Sequence, residues 1–309
     1  MTEFITGWPE NSPQNTWLTI GNFDGVHLGH QALFRGLQER AQQALGQTLA
    51  LTFWPHPRVA LGYVSEAFLL MTRREKERQL QAAGIDLVLT LDFDEKLAAT
   101  SAEAFLERLS ASIKPAGLLV GPEFRLGKDR QADFDFIRSF CRSKGIACEI
   151  FPPYRIRHEI VSSNRIRASL TDGRVSEAAR LFGRNFSLEG EIERGKQLGG
   201  KLGFPTANII PEPLQLLPRY GVYATRVFLG DQALKGVTNV GIRPTFELDA
   251  APNVETLILD FDDTIYHETI RIEFLEFLRP ERRFGQVENL IAQIEDDKAK
   301  TRRIFQNGL

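Results

Sequence analysis

The sequence predicts an α/β domain built on a parallel sheet, followed by a small antiparallel β-barrel domain with a C-terminal helix. Three observations predict it. Short apolar runs alternate with amphipathic helical patterns through the first half. After about residue 185 the rhythm changes to β-rich runs punctuated by glycine. The last segment returns to a helical stripe. A chain of 309 residues has room for two domains, and the change of rhythm near Gly183–Phe186 divides it into residues 1–184 and 185–309.

The elements follow in order. "WLTIG" reads as a strand, and "QALFRGLQERAQQAL" as a helix with Leu33, Leu37, Ala41 and Leu45 on one stripe. "TLALTFW" is a strand, and "TRREKERQLQAAG" a helix that closes on Gly84. The strands "IDLVLTLDF", "AGLLVG" and "IACEIFP" then alternate with the helices "SAEAFLERLSASI" and "DFDFIRSFCRSKG". Strands alternating with helices of this length argue for a parallel sheet covered on both faces. Beyond Phe186, "FSLEGEIERG", "YGVYATRVFLG", "LKGVTNVG", "VETLILDFD" and "TIRIEFLEFL" have the spacing of a small antiparallel barrel. The final helix, "QVENLIAQIEDDKAKTRRIF", carries Leu290, Ile291, Ile294 and Ala299 on its stripe.

Composition narrows the function. Hydrophobic residues make up 42% and charged residues 25%, with a net charge of −2, and the isoelectric point is about 6.3. There is no basic footprint, so nucleic acid is not the expected partner. The two cysteines, Cys141 and Cys148, have neither zinc spacing nor a disulfide pattern and read as structural thiols of a reducing compartment. The N-terminus lacks the basic start and apolar core of a signal peptide, and no run of 18 apolar residues exists. The expectation is a cytoplasmic chain that does not engage a membrane; its oligomeric state is not fixed by the sequence.

The densest stretch is "LTIGNFDGVHLGHQALF", where a strand hands over to a helix. Ligands of open parallel sheets sit at the carboxyl ends of strands, and helix N-terminal amides favour anions there. Gly21, Gly25 and Gly29 let the backbone approach a phosphate, and His27 and His30 can donate to phosphate oxygens or to a departing pyrophosphate. The segment "GNFDGVHLGH" resembles the signature of the nucleotidyltransferase superfamily, whose Rossmann-like sheets carry a His-x-x-His loop. "TFWPHP" resembles a family segment usually written Phe-Glu-Pro-His-Pro, "VGPEFRLGKDRQADF" its Gly-x-Asp-Phe-Arg-Phe-Gly loop, and "SSNRIRASLTDGRVSEAARLFGR" its Ser-Ser-Thr-x-Ile-Arg segment. Together they are similar to the FAD synthetase (FMN adenylyltransferase) module of bacterial bifunctional riboflavin kinase/FAD synthetases. The resemblance implies catalytic roles for His27 and His30. It implies nucleotide binding by Gly21, Asn22, Phe23, Asp24, Gly25, Gly29, His56, Ser162, Ser163 and Arg167, and flavin binding by Glu123, Phe124 and Arg125. Glu123 stands where the family has Asp, Leu126 where it has an aromatic, and Asn164 where it has Thr.

The second dense stretch is "GEIERGKQLGGKLGFPTANI". Gly190–Lys196 fits most of a P-loop, but Gln197 replaces the hydroxyl residue that the loop needs for magnesium. In "GFPTAN", strand alternation places Thr206 and Asn208 on one face, where a hydroxyl and an amide oxygen can share Mg²⁺. In "VETLILDF" the same alternation sets Glu255 on one face with Leu257, Leu259 and Phe261, a core-facing stripe that is an unusual place for a carboxylate that is neither paired nor working. These segments closely resemble riboflavin kinases. The resemblance implies Mg-ATP at Thr206 and Asn208, nucleotide contacts from Gly195, Lys201, Gly203 and Pro205, Glu255 as the general base, and Arg279 near the flavin. The expected ligands are riboflavin, FMN and ATP, with Mg²⁺ accompanying ATP. The expected activity is phosphorylation of riboflavin to FMN, then adenylylation of FMN to FAD. A chain with only one domain active, the kinase ahead of the adenylyltransferase, or a non-catalytic flavin- or nucleotide-binding regulator, is the alternative. A third motif, Asp260-x-Asp262-x-Thr264, matches the nucleophile motif of haloacid-dehalogenase phosphatases, but the residues after Thr264 are too few for that fold.

Overall fold

The computed structural model describes residues 2–9, 15–193, 204–242 and 252–307. The chain forms two compact units, Met1–Ser163 and Asn164–Leu309.

The first unit is a six-stranded sheet in the order β1-β4-β3-β2-β5-β6, and every neighbouring pair is parallel. Its strands are β1 (Glu3–Thr6), β2 (Thr16–Ile20), β3 (Gln47–Trp54), β4 (Leu87–Asp92), β5 (Gly117–Val120) and β6 (Ala147–Ile150), and a separate antiparallel pair, β7 (Arg155–Ile156) and β8 (Glu159–Ile160), follows them. The helices are α1 (Leu28–Gln43), α2 (Pro57–Ala60), α3 (Arg73–Ala82), α4 (Glu95–Ala98), α5 (Ala102–Ile113) and α6 (Phe134–Ser143). Alternate residues of each strand feed two separate cores. Leu18, Ile20, Leu49, Leu51 and Leu89 pack with Phe105, Leu109 and Ile137 of α5 and α6. Trp17, Ala50, Val88 and Leu119 pack with Leu33, Leu37 and Leu80 of α1 and α3. Each fully buried leucine or isoleucine there contributes about 1.5–3 kcal/mol.

Chain order runs outward from β2 in both directions, through β3 on one side and β5 on the other. The crevice of such a sheet opens where the direction reverses, at the carboxyl ends of β2 and β5. β1 is a short edge strand that apolar periodicity does not reveal. Leu45 falls outside the predicted stripe: α1 ends at Gln43, and Leu45 is 94% exposed with φ 51°.

The second unit opens with helices α7 (Ser163–Thr171) and α8 (Val175–Phe182) and then closes a six-stranded antiparallel barrel. Its strands are β9 (Phe186–Glu193), β10 (Ala207–Ile209), β11 (Gly221–Leu229), β12 (Gln232–Ile242), β13 (Pro252–Ile258) and β14 (Thr269–Arg279). The order around the barrel is β10-β13-β12-β11-β14-β9. Side chains fill its interior, among them Phe186, Ile209, Tyr223, Val240, Val254, Ile270 and Phe274. Three buried threonines are linked by hydroxyl hydrogen bonds across β11, β12 and β13, Thr225 to Thr238 at 2.8 Å and Thr238 to Thr256 at 2.9 Å. These bonds satisfy polar groups that would otherwise be costly inside the barrel.

Helix α9 (Val287–Gln306) lies on the outer wall, where Ile294 packs against Val222, Val237, Leu257 and Leu259. Glu255 is therefore on the outer wall, on the side opposite Val254 and Thr256 of the barrel interior. The predicted stripe of α9 holds through Ile294, but Ala299 is exposed, and the buried positions further on are Asp297 and Thr301.

Candidate active sites

Three sequence motifs converge at the carboxyl ends of three adjacent strands. "GNFDGVHLGH" follows β2, "PHP" follows β3, and "GPEFRLG" follows β5. Gly21 continues the sheet for one residue by donating to the Leu51 carbonyl at 3.0 Å. The loop then turns sharply, with φ of 47° at Phe23, 93° at Gly25 and 37° at Val26. Non-glycine residues at positive φ are strained, and surrounding contacts must hold them. Those contacts are present. The buried Asp24 carboxylate accepts from the Leu70 amide at 3.1 and 3.2 Å. Thr52 Oγ1 donates to the Asn22 carbonyl at 3.3 Å, and Ser163 Oγ to the Asp24 carbonyl at 2.8 Å.

His27 is the N-cap of α1, its Nδ1 accepting from the His30 amide at 3.3 Å. The His27 and His30 rings stack, and Phe23 meets His30 edge-on at 5.3 Å between centroids. His56 repeats the arrangement at the end of β3: its Nδ1 caps α2 by accepting from the Arg58 amide at 3.2 Å. In a neutral imidazole, an Nδ1 that accepts leaves the ring proton on Nε2, which is then the donor. Both His27 and His56 are 5% exposed. A Cβ on Gly29 would approach the His27 ring at 3.0 Å and the Val161 carbonyl at 3.4 Å, so the absence of a side chain there lets the ring sit as it does.

The loop after β5 presents Glu123 and Arg125 on the surface, while Phe124 packs against the sheet core. Leu126, at the family's aromatic position, is a core residue bridged to Ala132, so an apolar side chain meets the structural demand of that site. Ser162 is half-buried beside Ser163. In the second unit, Asn164 Oδ1 accepts from Arg167 Nη1 at 3.0 Å, which holds that guanidinium against its own helix.

On the barrel, Glu255 lies in register with Asn208 of β10 and Asn239 of β12, all on one face. Thr206 lines two cavities. The larger, about 550 Å³, is also lined by Asn239, Glu255, Arg279, Glu281 and Asp297. The smaller, about 160 Å³, has Pro205, Asp262, Asp263 and Tyr266 on its walls. Asn208 is 4% exposed and its Nδ2 donates to the Thr206 carbonyl at 3.2 Å, while its Oδ1 is buried without a hydrogen-bond partner. An amide oxygen without a protein donor and the hydroxyl of Thr206 are oxygen ligands of the kind a hard cation such as Mg²⁺ takes. Among the described residues, no group of three or more His, Cys, Asp or Glu could hold a metal by itself.

Arg279 forms a bidentate pair with the buried Asp297 of α9, Nε at 2.9 Å and Nη2 at 2.8 Å from Oδ2. Gly195, Lys201 and Gly203 lie outside the described residues. Gly190, first residue of the P-loop near-match, pairs with Ile270 inside β9, so no phosphate loop starts there. Asp260 of the phosphatase-like motif pairs with Arg302 of α9 at 2.8 Å.

Asp297, Glu281 and Asn253 also stand at this site, and motif reading misses all three. The available signal for Asp297 is an acid on the apolar stripe formed with Leu290 and Ile294.

Fold and site together define a chain of two units directed at phosphate transfer, an α/β nucleotidyltransferase-like sheet and a flavokinase-like barrel. The family model described as FAD synthetase matches residues 10–165, and the one described as riboflavin kinase matches residues 182–305. The chain is 32% identical to the bifunctional riboflavin kinase/FMN adenylyltransferase of Listeria monocytogenes, over 94% of this chain and 93% of that one. It is 36% identical to the protein of the same name from Escherichia coli, covering 93% and 92%. A crystal structure described as a macrolide-efflux protein from Streptococcus pneumoniae superposes with a TM-score of 0.87 at 28% identity, covering 96% of this chain and 99% of that one. Among the described residues of this chain, no helix is long and apolar enough to cross a membrane. The chain belongs to the bifunctional riboflavin kinase/FMN adenylyltransferase family and carries both of its domains.

Proposed function

We propose that this chain uses ATP to phosphorylate riboflavin to FMN and then adenylylates FMN to FAD, releasing pyrophosphate. One observation carries the reading: each unit has its own cluster of phosphate-directed groups, the histidine loop after β2 and the Thr206–Asn208–Glu255 wall of the barrel. The functional division falls at 184/185.

In the kinase step the riboflavin 5′-hydroxyl attacks the terminal phosphorus of ATP, and ADP leaves. Glu255 accepts the hydroxyl proton as general base. Thr206 and Asn208 would hold Mg²⁺, which when bound neutralises triphosphate charge. The larger cavity takes the flavin, against Arg279. The smaller one, with Pro205, takes the nucleotide; nucleotide contacts from Gly195, Lys201 and Gly203 are what the resemblance to riboflavin kinases implies.

In the adenylyl step an FMN phosphate oxygen attacks the α-phosphorus of a second ATP, and pyrophosphate leaves. His27, His30 and His56 donate to the phosphates, with Ser162 and Ser163 on the triphosphate. Gly21, Asn22, Phe23, Asp24, Gly25 and Gly29 shape the loop that admits the nucleotide. Glu123, Phe124 and Arg125 hold FMN. Neither step needs a covalent enzyme intermediate. The chain acts in the cytoplasm on small molecules, without nucleic acid or membrane.

The test is a time course with riboflavin and Mg-ATP. FMN is expected first, then FAD with one pyrophosphate for each FAD. FMN without FAD, or neither product, overturns the bifunctional reading.

A further inference from the structure

Two carboxylates, Glu255 and Glu281, border the larger cavity of the barrel, and each is held by a different amide. Asn239 Nδ2 donates to Glu281 Oε1 at 3.1 Å. Asn253 Nδ2 donates to Glu255 Oε1 at 2.6 Å. Asn253 and Glu255 are two apart on β13 and so share a face. Asn253 is 6% exposed, which fixes its amide as a rigid support.

The other two amides next to Glu255 are engaged elsewhere. Asn239 serves Glu281, and Asn208 turns its Nδ2 to Thr206. Among the described residues, Asn253 is the one side chain that donates to the Glu255 carboxylate. The chemistry of the donor matters. A lysine or arginine in that place would favour the ionised carboxylate and weaken it as a base. A neutral amide fixes one oxygen without adding positive charge, and it leaves the second oxygen to accept a proton. Gly241, the register partner of Asn253, makes room for Glu281: a Cβ there would come within 2.1 Å of Glu281 Oε1.

We infer that Asn253 is a positioning residue for the kinase step, orienting Glu255 so that its second oxygen meets the substrate hydroxyl, while Asn239 holds Glu281 apart from it. The inference rests on Glu255 acting as the general base.

The experiment compares Asn253→Ala, Asn253→Asp and Glu255→Gln in the full chain, with riboflavin kinase and FMN adenylyltransferase assayed separately on each preparation. Asn253→Ala is expected to lower kinase kcat by roughly 10- to 100-fold, with KM for riboflavin and ATP within about threefold. Adenylylation of supplied FMN should stay at the parent rate, which reports that the chain is folded. Asn253→Asp sets a second carboxylate against Glu255 and should move the acidic limb of the kinase kcat/KM profile upward by about one pH unit. Kinase kcat within twofold of the parent in Asn253→Ala, or a rise in KM alone, overturns the inference. If Asn253→Ala loses both activities, the Asn253→Asp profile decides, and an unshifted acidic limb overturns it. Slow Glu255→Gln with parent-like Asn253 variants removes the role of Asn253 alone; parent-like Glu255→Gln removes the general-base reading beneath it.

Discussion

The imidazoles of His27 and His30 stack face to face, 3.7 Å between centroids and 13° from parallel. The first turn of α1 creates the pair, since His27 caps the helix and His30 is the residue whose amide it accepts. One ring therefore braces the other at the mouth of β2. His30→Ala should lower FMN adenylylation by at least about 100-fold, a loss expected when a donor to developing phosphate charge is removed. Riboflavin kinase activity of the same preparation should not change. An unchanged rate of FAD formation from supplied FMN would remove the catalytic role of the loop.

Asn208 carries the corresponding prediction for the barrel. Its Oδ1 is a buried oxygen with no protein donor, while its Nδ2 is the end of the amide that meets Thr206. Asn208→Ala should raise the Mg²⁺ concentration that half-saturates the kinase by about tenfold, the loss of one oxygen ligand being worth about 1.4 kcal/mol. Magnesium titrations at fixed riboflavin check this, and an unchanged midpoint would place the metal elsewhere.

Asp297 and Arg279 join α9 to the wall of the larger cavity. The Asp297 side chain is 1% exposed and that of Arg279 11%. Breaking such a pair from one side leaves a buried charge, so Asp297→Ala should cost about 3 kcal/mol of stability. Adding Arg279→Met to it should restore much of that loss. Denaturant unfolding of the two variants and the parent measures both effects; equal stability of the single and double variants would contradict the pairing.

Lys76 gives a pH test in the first unit. It is 4% exposed, and its Nζ donates to the Phe53 carbonyl at 3.4 Å. Burial pulls its pKa from 10.5 down to about 8, with Asp24 and Glu77 opposing the shift and Arg73 adding to it. Between those values the unfolded chain holds a proton that the folded chain has released, so stability rises with pH across the window. Below pH 8 the fold carries the full cost of a buried ammonium. Relative to Lys76→Met, the parent should gain up to about 3 kcal/mol between pH 8 and 10.5. A constant difference between the two proteins would mean that Lys76 does not titrate there.

The sheet and the barrel were readable from residue periodicity because buried strands are continuous apolar runs and half-buried ones alternate. β1 escaped because Glu3–Thr6 is an edge strand with too few buried positions to make a run. Lys76 escaped because "RREKER" reads as a solvated helix face, and only the three-dimensional packing shows Lys76 turned inward. Alternation placed Glu255 with Leu257 and Leu259, but not which side of the wall they occupy. That depends on Thr256 joining Thr238 inside the barrel, a contact between strands far apart in sequence. Asn253 escaped for a different reason: an amide two residues before a glutamate is no motif, and its meaning lies in a distance.

The larger cavity is bounded on one side by strands and on the other by Leu290, Ile294 and Asp297 of α9. The barrel closes through β9 and β10 without that helix. Ring closure and pocket completion are thus separable events. A protease nick at the exposed Arg282 or Arg283 that freed α9 would leave the strand ring intact and strip the cavity of its helical wall.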